Sequence, residues 1–388
     1  MNTPSRPLRL VLVANRHQYN DGQGRVNYEV ALAALNSGMK VTLLTAYCAD
    51  EIANHPNAHF VHIGKEQLPT QFLRNLAFAN ESARWLREHR GEFDLVQANG
   101  FVTWESCDIV TAHFVHTSFA KSPYYPFARS LRPYALYQRV FTALNARWER
   151  RAFHTAKHII AVSDAVAEDV RQLGVPSERV EVIYNGVDID EFSPGASERA
   201  SFNLPLHVPL GLFVGDIRTW RKNLDTLLLA MQRIPHLHLA VAGEVKRSPA
   251  PALAKKLKVA GRVHFLGRTP RIPMLMRSVD LFIFPSRYEP YGLVALEAMA
   301  SGLPVILSRN VGSLEAFGDS LEVVDDPEDA AGLARSICSV LDSPERRESM
   351  ARLGRERALE LSWSNMAAAY LQTYESMSRV AAGSVHGY

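Results

Sequence analysis

The sequence predicts two doubly wound α/β domains. Three observations carry that prediction. Strand-like apolar runs alternate with helical patterns along the chain, the alternation restarts after a polar, proline-containing stretch, and 388 residues exceed what one ordinary core holds.

The first half reads in order as short buried strands at Leu8–Ala14, Lys40–Ala46, His59–Ile63, Asp94–Asn99, Asp108–Phe114, His158–Ser163 and Val180–Asn185. Helical patterns lie between several of them, for example Arg25–Ser37, closed by Gly38. Strands that are apolar on both faces and separated by helices make a parallel sheet covered on both sides. Asp188–Pro209 carries Pro194, Gly195, Pro205 and Pro209 and reads as the linker. Beyond it, Leu210–Gly215, Leu237–Ala242, Arg262–Leu266, Leu281–Pro285 and Pro304–Ser308 predict a second sheet. Helices are expected over Pro327–Leu341, Pro344–Leu359 and Asn365–Val380. Doubly wound halves bind ligands in the crevice at the C-terminal ends of their strands.

Composition narrows the class. Hydrophobic residues make up 47% and charged residues 21%, as in ordinary soluble proteins. Cys48, Cys107 and Cys338 are few and far apart, which argues against a disulfide framework or a cysteine metal site and fits a reducing cytoplasm. The first apolar run is too short for a signal-peptide core, and no stretch approaches a membrane span. Net charge is only +3, yet residues 121–158 hold eight Lys and Arg against Glu149 alone, interleaved with Tyr124, Tyr125, Phe127, Tyr134, Tyr137, Phe141 and Trp148. That mixture on a helix suits an anionic membrane surface or nucleic acid. It equally describes a solvated face with its aromatics in the core.

The most informative stretch is Glu289-Pro-Tyr-Gly-Leu-Val-Ala-Leu-Glu297. A helix over Leu293–Ala300, ending near Gly302, is apolar almost all round and is expected in the core, with Glu297 buried and in need of a donor. Glu289 stands just before the helix start, where free N–H groups favour an anion. Each half also has a loop after its first strand. The first carries Asp21-Gly-Gln-Gly24, where Gly22 and Gly24 would let backbone approach a ligand; Asn27 replaces a third glycine, which disfavours nicotinamide binding. The second, Gly215-Asp-Ile-Arg-Thr-Trp-Arg-Lys-Asn223, places Arg218, Arg221 and Lys222 between a strand and a helix start, where cations stabilise a departing diphosphate. Of these, Arg221 fits a solvated loop position better than Lys222 does. His113, at the end of the run Asp108–His113, can bond a sugar hydroxyl, move a proton, or serve as a structural hydrogen-bonder. Asp188-Ile-Asp190 has the spacing of a metal-binding D-x-D, but after Asn185-Gly186 a turn and capping role is simpler.

Taken together these residues resemble glycosyltransferase family 4. The resemblance spans nearly the whole chain: Gly22 and Gly24, Ile160-Ala-Val-Ser163, Val182-Ile-Tyr-Asn-Gly-Val-Asp188, Lys222-Asn223, the block from Glu289 through Glu297 to Val305, and Tyr370-Leu-Gln-Thr-Tyr374. The Glu-x7-Glu block with its flanks is specific, and the others support it.

The resemblance implies a GT-B fold, two Rossmann-like domains facing across a cleft. Residues 1–187, with the final helix from about 363 to 388, would form the acceptor domain, and residues 188–362 the nucleotide-sugar donor domain. It implies a retaining, metal-independent hexosyltransferase that uses no cofactor beyond a UDP- or GDP-sugar co-substrate. Glu297 would bind ribose, Glu289 the sugar hydroxyls, and the N–H groups of Tyr291, Gly292 and Leu293 the sugar and phosphate. Lys222 would neutralise the diphosphate, Gly267 and Arg268 would border the base, and His113 would lie near the reacting carbon. The family pattern has Arg directly after Gly215, where this chain has Asp216; Arg218 is expected to take that role. The acceptor is expected to be saccharide or lipid-linked, in polysaccharide, lipopolysaccharide or glycolipid synthesis, on the cytoplasmic side of a membrane and without nucleic acid. A sugar-nucleotide epimerase, a phosphorylase and a non-catalytic nucleotide-sugar-binding protein remain as alternatives.

Overall fold

The computed structural model describes residues 6–19 and 22–383, with side chains through Arg379. The chain divides into two compact units. One comprises Met1–Lys121, Ser130–Asn185 and Trp363–Tyr388; the other comprises Ser122–Arg129 and Gly186–Ser362.

The first unit holds β1 (Arg9–Val13), β2 (Arg16–His17), β3 (Lys40–Thr45), β4 (Tyr47–Cys48), β5 (Ala58–His62), β6 (Leu95–Asn99), β7 (Ile109–Ala112), β8 (His158–Ala161) and β9 (Val180–Val182). Seven of them form one sheet in the order β5-β3-β1-β6-β7-β8-β9, and β2 and β4 make a separate two-stranded pair. Each pairing in the larger sheet is parallel, with Leu10 of β1 between Val41 and Leu95. The continuous apolar runs exist because both faces are covered: Leu10, Val11, Leu12 and Val13 are all buried. The helix Gly22–Asn36 contributes Val26, Tyr28, Ala31 and Leu35 to the core, and Met366, Tyr370 and Tyr374 of the helix Trp363–Gly383 join it. The Tyr374 hydroxyl donates to Gln97 Oε1 at 2.7 Å, which gives a buried polar group its partner.

The second unit holds β10 (Leu210–Val214), β11 (His238–Ala242), β12 (Val263–Gly267), β13 (Leu281–Phe284), β14 (Val305–Ser308) and β15 (Glu322–Val324), in the order β12-β11-β10-β13-β14-β15. All its pairings are parallel as well. This sheet has one strand more than the sequence predicts, because β15 is only three residues long and carries Glu322. The expected linker is not free chain. Arg199 donates to Asp280 at 2.8 Å and Arg277 donates to the Ser193 carbonyl at 2.7 Å, fastening Asp188–Pro209 to the second unit. Asp188 Oδ1 accepts from the Asp190 and Glu191 N–H groups, a local turn.

At the C-terminal edge of this sheet two backbones nearly touch. A Cβ built on Gly243, just past β11, would lie 2.2 Å from the Gly215 carbonyl oxygen, just past β10. Gly243→Ala must therefore push aside the loop that carries Lys222. We expect about 2 kcal/mol of destabilisation, in the range of overpacking. The thermal midpoint should then drop by roughly 4–8 °C. A midpoint equal to wild type in calorimetry would show that the two strand ends separate without cost.

Candidate active site

The loops leaving β10, β13 and β14 come together at one end of the second sheet, because parallel neighbours end on the same side. Backbone bonds lace them. The Arg287 N–H donates to the Arg221 carbonyl at 2.9 Å, the Glu289 N–H to Asn310 O at 3.1 Å, and the Gly312 N–H to Glu289 O at 2.7 Å. The short turn Trp220–Lys222 ends at Asn223, which adopts the left-handed conformation at φ 64°. Asn223 is fully buried, and its amide donates to the Pro285 and Pro327 carbonyls at 2.8 and 2.6 Å. This fixes where Lys222 emerges.

Lys222 points inward. Its ammonium contacts the Glu289 carboxylate and lies 4.9 Å from the centroid of Phe284. The two side chains are only 14% and 13% exposed, so the pair is largely desolvated. Burial, and after it the Arg221 guanidinium, push the Lys222 ammonium well below its ordinary value, with Asp216 opposing. The Glu289 carboxylate against it opposes too. Arg221 lies 3.8 Å from Glu289 and donates to the Tyr288 carbonyl at 3.0 Å; burial lowers it as well. Arg221 is thus part of the cluster rather than a solvated loop residue.

Two expectations are corrected here. Arg218 does not stand as a third cation turned to the same place. It is 47% exposed and folds back on Asp216, donating from Nε at 2.9 Å and from its backbone N–H at 3.1 Å. Burial pushes the Asp216 carboxyl up, but the Arg218 hydrogen bonds outweigh it and hold the group below its usual range. Glu297 is half-buried rather than enclosed. The helix Leu293–Ala300 buries Ala295, Leu296, Ala298, Met299 and Ala300, whereas Leu293, Val294 and Glu297 share a partly open face.

Gly292 caps this helix with φ 98°, and a Cβ there would meet Val311 Cγ1 at 3.1 Å. Only glycine takes that conformation without strain. Tyr291 is buried, and its carbonyl accepts from the Ser313 hydroxyl. Gly267 ends β12 with φ 72°, and Arg268 beyond it is 73% exposed, with Glu244 at 3.8 Å. Since β12 is two strands from β10, these residues sit about 10 Å along the sheet from the Lys222 loop.

In the first unit, Gly22 and Gly24 do not form a loop. The helix begins at Gly22, three residues before the expected Arg25, and both glycines occupy its first turn; Asp21 lies outside the described residues. Gly24 lines a cavity of about 530 Å³. A second cavity, of about 400 Å³, is lined by His113, His116 and Glu149. His113 follows the end of β7, and its Nε2 is buried without a hydrogen-bond partner among the described residues. Burial lowers its pKa to about 4, so the imidazole is neutral at physiological pH. Glu149, buried on the helix Pro133–Thr155, accepts the His116 N–H at 2.8 Å and faces its Nδ1 at 3.3 Å. No spacing pattern signals that pairing, which spans 33 positions.

The basic, aromatic stretch divides its residues. Phe141 and Trp148 pack with Phe72 and Phe101 as half-buried aromatics. Leu131, Tyr134, Leu136 and Val140 are exposed around the start of the helix Pro133–Thr155, and Arg147, Arg150 and Arg151 are exposed further along it. No helix among the described residues is long and apolar enough to cross a membrane.

Known proteins share this fold. Residues 196–357 match the family described as glycosyl transferases group 1, and residues 20–191 match Glycosyltransferase Family 4. The D-inositol 3-phosphate glycosyltransferase of Mycolicibacterium smegmatis is 30% identical over 332 residues, covering 81% of this chain and 74% of that one. The sucrose-phosphate synthase structure from Thermosynechococcus elongatus superposes with a TM-score of 0.79 at 22% identity, over 96% of this chain and all of that one. WaaG, a glycosyltransferase involved in lipopolysaccharide biosynthesis, superposes with a TM-score of 0.75 at 21% identity, over 93% and 98% of the two chains. With both units matched and a 30% identical relative aligned over most of its length, the chain belongs to glycosyltransferase family 4 and has the two parallel-sheet α/β domains of the GT-B glycosyltransferases.

Proposed function

We propose that this glycosyltransferase moves a hexose from a UDP- or GDP-sugar to a hydroxyl acceptor with retention of configuration, using fixed cations rather than a metal. The observation that carries the reading is the desolvated Lys222–Glu289 pair beside the glycine-capped helix Leu293–Ala300. A nucleotide sugar offers a better partner to each member: diphosphate oxygens for Lys222 and Arg221, sugar hydroxyls for Glu289. The first N–H groups of the helix have no intrahelical acceptor and favour an anion. Tyr291, Gly292 and Leu293 are the backbone donors assigned to the sugar and phosphate. Glu297, on the open helix face, takes the ribose hydroxyls, and Gly267 with Arg268 borders the base. Arg218, folded onto Asp216, is assigned a lesser share of the diphosphate charge. In the first unit Gly22 and Gly24 start the helix beside the acceptor cavity, and His113, neutral, donates to or accepts from a sugar hydroxyl near the reacting carbon.

In the step itself the bond from the anomeric carbon to the leaving phosphate oxygen breaks, while the acceptor oxygen bonds the same face of that carbon. The departing phosphate oxygen takes the acceptor proton. Lys222 and Arg221 stabilise the charge that grows on the diphosphate, which is where preorganised electrostatics act most strongly.

The exposed Leu131, Tyr134, Leu136 and Val140, with the arginines that follow, support a peripheral seat on an anionic cytoplasmic membrane face. That seat fits a lipid-linked or saccharide acceptor in glycolipid, polysaccharide or lipopolysaccharide synthesis.

Thermal shift against UDP, GDP, ADP and their sugar conjugates, with and without EDTA, tests the donor half. One nucleotide class should raise the midpoint by mass action, insensitive to EDTA, and Glu297→Gln should shrink that shift. No shift with any nucleotide would refute the reading, and a shift abolished by EDTA would refute its metal independence.

A further inference from the structure

Arg287 lies two residues before Glu289 in the loop leaving β13, and its side chain is only 12% exposed. A guanidinium so far from water needs acceptors along its whole edge. Its fork bonds the Asp225 carboxylate through both terminal nitrogens, Nη1 to Oδ1 at 2.7 Å and Nη2 to Oδ2 at 2.9 Å. Nη1 also donates to the Trp220 carbonyl at 2.6 Å, and Nε donates to the Glu328 carboxylate. Burial pushes the guanidinium pKa down, but the bonds to Asp225 and Glu328 outweigh it and hold the group above its ordinary value.

These bonds bear on Lys222. Trp220 and Arg221 precede it, and Arg287 holds both of their carbonyls: Trp220 through the side chain, Arg221 through the backbone N–H at 2.9 Å. The Ser286 hydroxyl adds a bond to the Arg221 carbonyl at 3.2 Å. Asn223, which follows Lys222, is anchored on the Pro285 and Pro327 carbonyls. The turn is thus gripped on both sides of the lysine. The brace is also reciprocal, because Arg221 donates to the Tyr288 carbonyl at 3.0 Å, so each loop's arginine caps the other loop's backbone. It extends to Glu289: the Arg287 carbonyl accepts the Asn310 amide at 3.1 Å, and the Asn310 carbonyl accepts the Glu289 N–H at 3.1 Å. One residue therefore joins the segments that carry Lys222, Arg221 and Glu289, while each nitrogen of its own side chain faces a protein acceptor.

Resting on the transferase reading above, in which Lys222 and Arg221 meet the diphosphate, we infer that Arg287 is a positioning residue of that site: it touches no ligand, and its bonds to Asp225, Trp220 and Glu328 hold Lys222 and Arg221 at the spacing that two phosphates require. A lysine cannot take its place, because a single ammonium lacks the planar fork that meets Asp225 while reaching Trp220 and Glu328. Without the brace Lys222 and Arg221 keep their charges but lose their fixed place, and the preference for a diphosphate over a monophosphate weakens.

Isothermal titration of the full chain compares UDP with UMP, or GDP with GMP, according to the base found by thermal shift. The wild type is expected to bind the diphosphate about tenfold or more tightly than the monophosphate, the worth of one charge-assisted hydrogen bond. Lys222→Ala should remove most of that preference. Arg287→Gln and Arg287→Lys should each reduce it by about threefold or more, with monophosphate affinity held within about twofold. Combined with Lys222→Ala, either Arg287 variant should add much less than its own separate loss, because it acts through the lysine. The lysine variant keeps the buried charge, so it carries the test where the glutamine variant does not fold. A preference unchanged in the Arg287 variants overturns the inference, and so does one kept by Arg287→Lys and lost by Arg287→Gln, which assigns the effect to charge rather than to the fork. Losses that multiply fully in the double variant, or equal losses for mono- and diphosphate, reduce Arg287 to a general support of the unit and overturn it as well. A wild type without the preference, or a preference that Lys222→Ala leaves intact, sinks the diphosphate role of Lys222 and the inference with it. A preference lost in Lys222→Ala but kept in both Arg287 variants sinks the inference alone.

Discussion

Lys222→Ala is expected to lower kcat about 100-fold, the loss typical of removing one preorganised group that meets charge in the transition state. Three properties of the site set the size. The ammonium is desolvated, so its field is little screened. It is fixed, because Asn223 anchors the turn behind it through two carbonyls. It also stands beside Arg221, so the remaining cation keeps part of the effect and the loss stops short of abolition. Nucleotide affinity should drop by much less than kcat, since the substrate diphosphate carries less charge on the breaking oxygen than the departing one. The alanine also leaves Arg221, at 3.8 Å, as the remaining cation beside the buried Glu289, so that carboxylate takes up a proton more readily. Single-turnover rates for Lys222→Ala, Glu289→Gln and the double variant separate the two effects. Strongly non-additive losses mean that the pair acts as a unit. A single-turnover rate within twofold of wild type for Lys222→Ala would remove the residue from the chemistry.

Much of the scaffold could be read from the chain, and the reasons differ by element. The helix Leu293–Ala300 is found between the residues expected because Gly292 and Gly302, both at positive φ, punctuate it. The long apolar strands are legible because parallel sheets bury both faces and leave no alternation to misread. The start of the helix Gly22–Asn36 is not legible, for the opposite reason. Gly22 and Gly24 read as loop residues, yet their helical conformation is held by tertiary packing of Val26, Tyr28 and Ala31 rather than by propensity. A single segment carried enough signal to place Gly292 at the start of the helix and Glu289 just before it. It was not legible where two loops decide the outcome together. Arg218 looked like a cation for a ligand until its loop turned it onto Asp216, and Arg221 looked solvated until the β13 loop gave it the Tyr288 carbonyl.

Glu289→Gln is expected to make both activity and stability depend on pH, in opposite directions. In the wild type the carboxylate opposes the burial and the Arg221 charge that push the Lys222 ammonium down. With glutamine there, those two influences act unopposed except by Asp216, and the native pKa of Lys222 drops further below its unfolded value. Between the native and unfolded values, the unfolded chain then binds more protons than the folded one. Stability must therefore rise with pH across that window, which opens at the lowered native value and closes at the ordinary lysine value near about 10.4. Turnover must move the other way, because the neutral amine that is easier to bury no longer stabilises a departing diphosphate. At a pH below the lowered value the variant keeps a charged Lys222 and should lose only the Glu289 contacts to the sugar, about tenfold in kcat/KM for one charge-assisted hydrogen bond. Above it the loss should approach that of Lys222→Ala. Chemical denaturation and kcat/KM measured on the same samples from pH 6 to pH 9 provide the readout. Parallel slopes for the two quantities, or a flat kcat/KM ratio to wild type, would show that Glu289 does not govern the Lys222 charge.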